Sequence, residues 1–422
     1  MVWECEIKDL DSCGEGSRRF LNNPGYAKGM NMNSVELFAG AGGLALGVSL
    51  AGFEHSAVIE LNSWAIETLT ENKELGFPLL SAWPIQRCDV REFDYSTLGR
   101  DVDLVAGGPP CQPFSLGGKH GGHNDSRDMF PASVAVVRKL KPKAFLFENV
   151  PGLMRPSFTT YFQYTLLQLS YPEIIRKNGE RWIDHLARLE RHKTAGCTKG
   201  LSYRIVTRTL NAADYGVPQK RKRVFIVGFR SDLGMEWAFP SPTHSFDSLL
   251  HSQWISGDYW TQHALSSKKR PKVNPRHQKR VERLRMQSKS ENLELSKKPW
   301  TTVRDVLSDL PDPRNRTQSA LYKNHNFQPG AKVYPGHTGS PLEEPAKTLK
   351  AGDHGVPGGE NMMVLDDGDV RYFTVREGAR LQTFHDDYVF HGSWTETMRQ
   401  LGNAVPVELG RIIADSIAKL LK

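Results

Sequence analysis

Ser34-Val35-Glu36-Leu37-Phe38-Ala39-Gly40-Ala41-Gly42-Gly43-Leu44-Ala45-Leu46-Gly47-Val48-Ser49-Leu50-Ala51 decides the fold of this chain. An apolar strand, Ser34 to Phe38, runs into a glycine cluster, and a helix opens at Leu44 and continues to Ala51. The next strand, Ser56 to Ile59, ends at Glu60, twenty residues after Gly40. That is a nucleotide-binding layout: glycines let a ligand approach the backbone at a helix N-terminus, and an acidic residue at this distance suits the two hydroxyls of a ribose. The loop departs from G-x-G-x-x-G and lacks the lysine and Ser/Thr of a P-loop. An adenosine with an uncharged or amino-acid tail therefore fits it better than a pyrophosphate.

Outward from this stretch, Asp103 to Ala106 and Ala144 to Phe147 read as further buried strands, separated by longer amphipathic segments. This rhythm predicts an α/β fold with an open, largely parallel sheet. Asp89, after Cys88 at the end of a third strand, is placed to accept a hydrogen bond from an adenine amino group. A helix is expected over Ile183 to His192, and strands over Tyr203 to Leu210 and Arg223 to Phe229. Residues 1–33 read as an N-terminal extension without periodicity. The break Phe239-Pro240-Ser241-Pro242 ends the first domain, 34–245. Near-helical spacing of Val407, Leu409, Ile412, Ile413, Ile417, Leu420 and Leu421 predicts a terminal helix packed on a core.

Composition narrows the function. The chain has 422 residues, five widely spaced cysteines and a net charge of +8. No C-x-x-C pair or matching histidine spacing suggests zinc or a disulfide framework, so no metal is expected. No apolar run reaches membrane-spanning length, which points to a cytoplasmic protein with no membrane partner. Between Lys268 and Lys298 lie twelve Lys or Arg against three Glu, so this one segment carries the positive balance of the whole chain. Such a run is a solvated helix or loop, or a polyanion-binding surface.

The chemistry is concentrated at Gly108-Pro109-Pro110-Cys111-Gln112-Pro113-Phe114-Ser115, directly after the strand ending at Ala106. Two prolines stiffen the turn, and the pairs Gly117-Gly118 and Gly121-Gly122 supply a mobile flap. A thiol at the end of a rigid element is presented as a nucleophile rather than buried as a hydrophobe. Phe147-Glu148-Asn149-Val150-Pro151 ends a strand expected beside it and brings a carboxyl to the same sheet edge, suited to a general acid. In Gln219-Lys220-Arg221-Lys222-Arg223, extended backbone points Arg221 and Arg223 to one face. A basic edge that discourages strand pairing is the alternative use of such a run.

These blocks, in this order, resemble those of the DNA cytosine-5 methyltransferases of bacterial restriction-modification systems. The resemblance continues through Arg371-Tyr372-Phe373-Thr374-Val375-Arg376-Glu377-Gly378-Ala379-Arg380-Leu381-Gln382 and Gln400-Leu401-Gly402-Asn403-Ala404-Val405-Pro406. It implies a Rossmann-like S-adenosylmethionine-dependent methyltransferase domain and a smaller, irregular target-recognition domain at 246–370, with 371–422 returning to the catalytic domain. It also implies that Phe38, Gly40, Gly42 and Gly43 line the cofactor pocket, Glu60 holds the ribose, Leu61 covers the adenine where relatives carry an aromatic ring, Asp89 meets the adenine amino group and Asn403 closes the site. S-adenosylhomocysteine would be the product. By the same resemblance Cys111 adds to C6 of a cytosine flipped out of duplex DNA, Glu148 assists at N3, Arg221 holds the O2 side and Arg223 orders the loop. Pro110, Gln112, Ser115 and Thr348 would meet the substrate. A monomer acting beside a cognate endonuclease fits this picture. A tRNA cytosine-5 methyltransferase and a catalytically silent DNA-binding protein are the alternatives; the long basic insert favours DNA.

Overall fold

The structure, a computed structural model, describes residues 32–99, 101–110, 128–196, 200–290, 295–333, 338–351 and 361–422. Its centre is a seven-stranded sheet built from β1 (Met32–Leu37), β2 (Phe53–Glu60), β3 (Ile85–Arg87), β4 (Leu104–Gly107), β5 (Ala144–Asn149), β6 (Tyr203–Asn211) and β8 (Lys222–Arg230). A two-residue strand, β7 (Gln219–Lys220), stands apart from it. The order across the sheet is β3-β2-β1-β4-β5-β8-β6. The first five strands run parallel, and β8 and β6 close the edge antiparallel. The parallel strands β4 and β5 are buried at every position, which is why they read as continuous apolar runs rather than alternating ones. The strand order reverses between β1 and β4, and the crevice beyond the C-terminal ends of strands at such a reversal is where open α/β sheets bind ligands.

Helices α1 (Gly43–Leu50), α2 (Ser63–Glu74) and α3 (Phe130–Leu140) make the crossovers. The segment whose purpose the sequence leaves open forms α4 (Thr159–Ser170) and α5 (Trp182–Thr194). Both cover one face of the sheet through Tyr161, Phe162, Leu169, Leu186 and Leu189. On the other face the C-terminal helix, Val407–Leu421, joins Leu409, Ile413 and Ile417 to Leu44 and Val48 of α1.

The chain beyond 245 forms α6 (Phe246–Trp254), α7 (Asp258–Gln262) and α8 (Gln278–Lys289), around small cores of Leu249, Tyr259 and Trp260 and of Leu250, Val281 and Leu284. Farther on, Val303, Leu307, Ala346 and Leu349 share a core with Ala41, Leu46 and Leu69 of the first half of the sheet domain. The basic run thus includes a helix. With only Val281 and Leu284 buried in α8, its apolar periodicity is too sparse to read from sequence. No helix among the described residues is long and apolar enough to cross a membrane.

Candidate active site

A cavity of about 850 Å³ opens at the C-terminal edge of the parallel strands. It collects Phe38, Gly40 and Gly43 from the first loop, Glu60 and Leu61 after β2, Asp89 after β3, Pro110 after β4, Glu148 from β5, and Arg221, Arg223 and Asn403. Two expected residues stand apart. Gly42 is the N-cap of α1 with φ 84°, and a Cβ there would meet Leu69 Cδ2 at 2.9 Å, on the side away from the cavity. Thr348 is half-buried and does not line the cavity. Cys111, Gln112, Ser115 and the glycine flap 117–122 lie outside the described residues.

The glycine loop owes its shape to backbone conformations that favour glycine. Gly40 has φ 54° and Gly42 φ 84°, and Phe38 shares the left-handed region at φ 54° despite its side chain. Glu60 stitches this loop to the start of α2. One carboxylate oxygen, Oε2, accepts the Gly40 N–H at 2.7 Å, and Oε1 accepts those of Leu61 at 2.8 Å and Asn62 at 2.7 Å. A carboxylate offers about four acceptor sites, so one remains for a ligand hydroxyl. Leu61 is 61% exposed at the cavity rim, an apolar surface open to a planar ring.

Asp89 has a partner that the sequence reading overlooks. Arg91 grips it through Nε–Oδ1 at 2.9 Å and Nη2–Oδ2 at 2.6 Å, and its backbone N–H adds a bond of 2.8 Å to Oδ1. These hydrogen bonds hold the Asp89 carboxyl below its usual range, so it faces the cavity as an acceptor only. Glu36, on β1, is buried on the same cavity, and its Oε2 finds no hydrogen-bond partner among the described residues. Burial pushes its carboxyl well above the ordinary range.

At the other end of the cavity, the end of β5 and the start of β8 meet because the two strands pair antiparallel, Asn149 opposite Val224. Arg223 Nε lies 2.9 Å from Glu148 Oε1, with both side chains nearly buried. Burial raises the Glu148 carboxyl from its usual range, while the charges of Arg223 and Arg221 act in the opposite sense. Asn149, given no role from sequence, donates from Nδ2 to the carbonyl of Pro109 at 3.0 Å. It thereby fixes the Pro109–Pro110 turn that leads into Cys111.

Arg221 departs from expectation. It is wholly buried, and its Nη1 and Nη2 donate to the carbonyls of Leu349 at 3.2 Å and Gly402 at 2.7 Å. Each terminal nitrogen thus gives one hydrogen bond to backbone, its buried Nε has no partner among the described residues, and the guanidinium paired with Glu148 is that of Arg223. The reason is topological: Arg221 sits between β7 and β8, outside the single extended run that the sequence suggests. Thr348 donates its hydroxyl to the carbonyl of Lys220 at 2.7 Å, next to the two-residue strand Ala346–Lys347 that pairs in parallel with β7.

The basic segment flanks this end. Lys220 Nζ reaches Glu344 at 2.7 Å, and His277, just before α8, lies 3.6 Å from the same carboxylate. Arg280 and Arg283 are partly neutralised by Asp247, whereas Lys279, Arg285 and Lys289 of α8 are exposed.

Comparisons with known proteins agree on one family. The pattern described as C-5 cytosine-specific DNA methylase matches residues 32–171 and 187–419. The chain is 31% identical over 398 residues to the Type II methyltransferase M.MthTI of Methanothermobacter thermautotrophicus, covering 93% of this chain and 99% of that protein. It is 30% identical over 394 residues to the Type II methyltransferase M.PspPI of Psychrobacter sp. (strain TA137), covering 92% and 79%. Among solved structures, Entamoeba histolytica methyltransferase EhMeth has a TM-score of 0.54 at 14% identity, covering 93% of this chain and 100% of that one. A variant of Spodoptera frugiperda DNMT2 has a TM-score of 0.53 at 16% identity, covering 93% and 98%. These last two likenesses are of fold.

Proposed function

Since the chain belongs to the C-5 cytosine-specific DNA methylase family and is a DNA cytosine-5 methyltransferase of the restriction-modification kind, we propose that its cavity holds S-adenosylmethionine at the glycine loop and a flipped-out cytosine at Glu148, with Cys111 as nucleophile. The observation that carries this reading is the Glu148–Arg223 pair, set in the same cavity as the Gly40–Glu60 loop and beside the turn that leads into Cys111. The matched family and the named relatives, DNA methylases and methyltransferases, support this reading over an RNA-directed or a catalytically silent one.

The residues present fit the cofactor. Glu60 keeps an acceptor for a ribose hydroxyl, Leu61 offers an apolar face to adenine, and Asp89, held as an acceptor by Arg91, suits the adenine amino group. Buried Glu36 is an acidic group on the same cavity, and Asn403 borders it. S-adenosylmethionine, when bound, supplies a methyl group activated by its sulfonium.

C5 of cytosine is a weak nucleophile. The Cys111 thiolate adds to C6, forming an S–C6 bond and turning C5 into an enamine-like carbon. Glu148, kept protonated more readily by its burial, donates to N3 as negative charge develops in the ring. Arg223, rather than Arg221, faces the O2 side and steadies Glu148. Once C5 is methylated, a base takes the C5 proton, the N3 proton returns to Glu148, and the S–C6 bond breaks, returning the thiolate to Cys111. A stacked base cannot present C5 and C6 to these groups, so the cytosine leaves the helix at a cost of about a few kcal/mol. The exposed lysines and arginines of α8 neutralise phosphates and make binding salt-dependent. The enzyme acts as the modification partner of an endonuclease that cuts the same short site.

Trapping tests this mechanism. Duplex DNA carrying 5-fluorocytosine in place of cytosine retains a fluorine where the C5 proton must depart, so the S–C6 bond persists. With S-adenosylmethionine present, the wild-type chain is expected to form a protein–DNA adduct that survives denaturing electrophoresis, and Cys111→Ala is expected to form none. An adduct of equal yield in the variant would exclude Cys111 as the nucleophile.

A further inference from the structure

Two fully buried glutamines connect the Asn403 turn, which lines the cavity, to the Thr348–Leu349 segment, which does not. Gln382 donates from Nε2 to the carbonyls of Leu401 and, at 3.2 Å, Ala404, so it grips both sides of the turn that carries Asn403. Its Oε1 accepts from Gln219 Nε2 at 3.2 Å. Gln219 Oε1 in turn accepts the backbone N–H of Leu349 at 3.0 Å, next to Thr348. The carbonyl of the same Leu349 is taken by Arg221, whose other terminal nitrogen takes Gly402. Every link is a hydrogen bond between groups with no access to water, where an unmade bond costs about 1–3 kcal/mol. Nor is there slack between the two segments, since a Cβ on Gly402 would collide with the backbone nitrogen of Ala351.

We propose that Gln219 and Gln382 are positioning residues that couple occupancy of the cofactor end of the cavity to engagement of DNA at the Thr348 segment. This rests on the reading of the cavity given above. A movement of the Asn403 turn toward a bound cofactor displaces three carbonyls, two held by Gln382 and one by Arg221. The displacement reaches Leu349 through Gln219 and Arg221 without passing through either ligand. Coupling between two sites is reciprocal, so DNA must tighten the cofactor end by the factor by which the cofactor tightens DNA. Contiguity alone does not establish such a link, and a binding cycle does.

The test uses the full chain, S-adenosylhomocysteine as the probe of one end and a duplex containing the methylated motif as the probe of the other. Calorimetric titration of the wild type is expected to show each ligand tightening the other by about tenfold. In Gln219→Met and Gln382→Met this factor is expected to fall to near one, with binary S-adenosylhomocysteine affinity changed by less than about threefold, since coupling and single-site binding are separable free energies. A merely structural role would weaken each binary affinity and leave the factor in place. Variants that keep the wild-type factor, or a wild type whose factor is already one, overturn the proposal. Hydrogen exchange on the wild type covers the case in which the variants do not fold: S-adenosylhomocysteine alone is expected to slow exchange at Leu349, and no change there also overturns it. A wild type that binds neither probe sinks the underlying reading instead.

Discussion

Glu148→Gln is expected to lower kcat by about 10²–10⁴-fold, the range that a positioned proton donor contributes, while S-adenosylhomocysteine still binds. The substitution keeps the shape of the side chain, but an amide cannot deliver a proton to N3. It also leaves Arg223, and behind it Arg221, without a carboxylate in a buried place. Loss of that partner costs up to about 3–5 kcal/mol of stability, so the rate is read at a temperature where cofactor-product titration shows the variant folded. The pH profile separates the two effects. Glu148 works in its protonated form, and burial raises its carboxyl, so wild-type kcat should carry a limb that falls as pH rises through that raised pKa. The glutamine variant should lack this limb. A variant with wild-type kcat would remove Glu148 from the chemistry.

Gly47→Ala tests the packing that brings the C-terminal helix to the site. Helix propensity alone favours alanine there by about 1 kcal/mol. The contacts oppose it, because a Cβ would stand 2.6 Å from the backbone nitrogen of Arg411 and 2.8 Å from Gly410 C and Val407 O. All three atoms belong to backbone and have no rotamer to yield. Overpacking typically costs about 1–3 kcal/mol and more against rigid neighbours, so the net expectation is destabilisation by about 2 kcal/mol, read as a lower urea midpoint with unchanged slope. Separation of α1 from the C-terminal helix also shifts the Asn403 turn, and S-adenosylhomocysteine affinity should fall with stability. Gly99→Ala is the control. Gly99 has nothing within 4 Å of a Cβ and no left-handed φ, so it should be neutral or slightly stabilising. A Gly47→Ala variant as stable as Gly99→Ala would show that the helix contact is looser than described.

What sequence disclosed of this site was local. The glycine loop and Glu60 are separated by one βαβ unit, and their spacing is a direct consequence of strand, turn and helix length. Asp89 and Glu148 end strands, and the chain order of those strands across the sheet follows from apolar runs and short connections. Arg91 was within reach, two residues from Asp89, but the exposed face of a turn gives no periodic signal. Arg221 was beyond reach for another reason. Its partners Leu349 and Gly402 are 128 and 181 residues away in sequence, and nothing near Arg221 distinguishes a guanidinium that faces substrate from one that holds backbone. Gln219 and Gln382 share that difficulty, since a buried amide looks like a surface one until its carbonyl partners are in place. The basic run showed its charge in sequence but concealed α8, whose two buried apolar residues are too few to set a helical period.

The central claim, methylation of DNA cytosines at C5 through Cys111, is tested most directly by expressing the chain and its Cys111→Ala variant in a host without cytosine-5 methylation and sequencing the host DNA after bisulfite conversion. Protected cytosines confined to one short motif, and absent with the variant, are the expected result. Complete conversion of every cytosine despite folded chain that binds S-adenosylhomocysteine, or equal protection with Cys111→Ala, would contradict it.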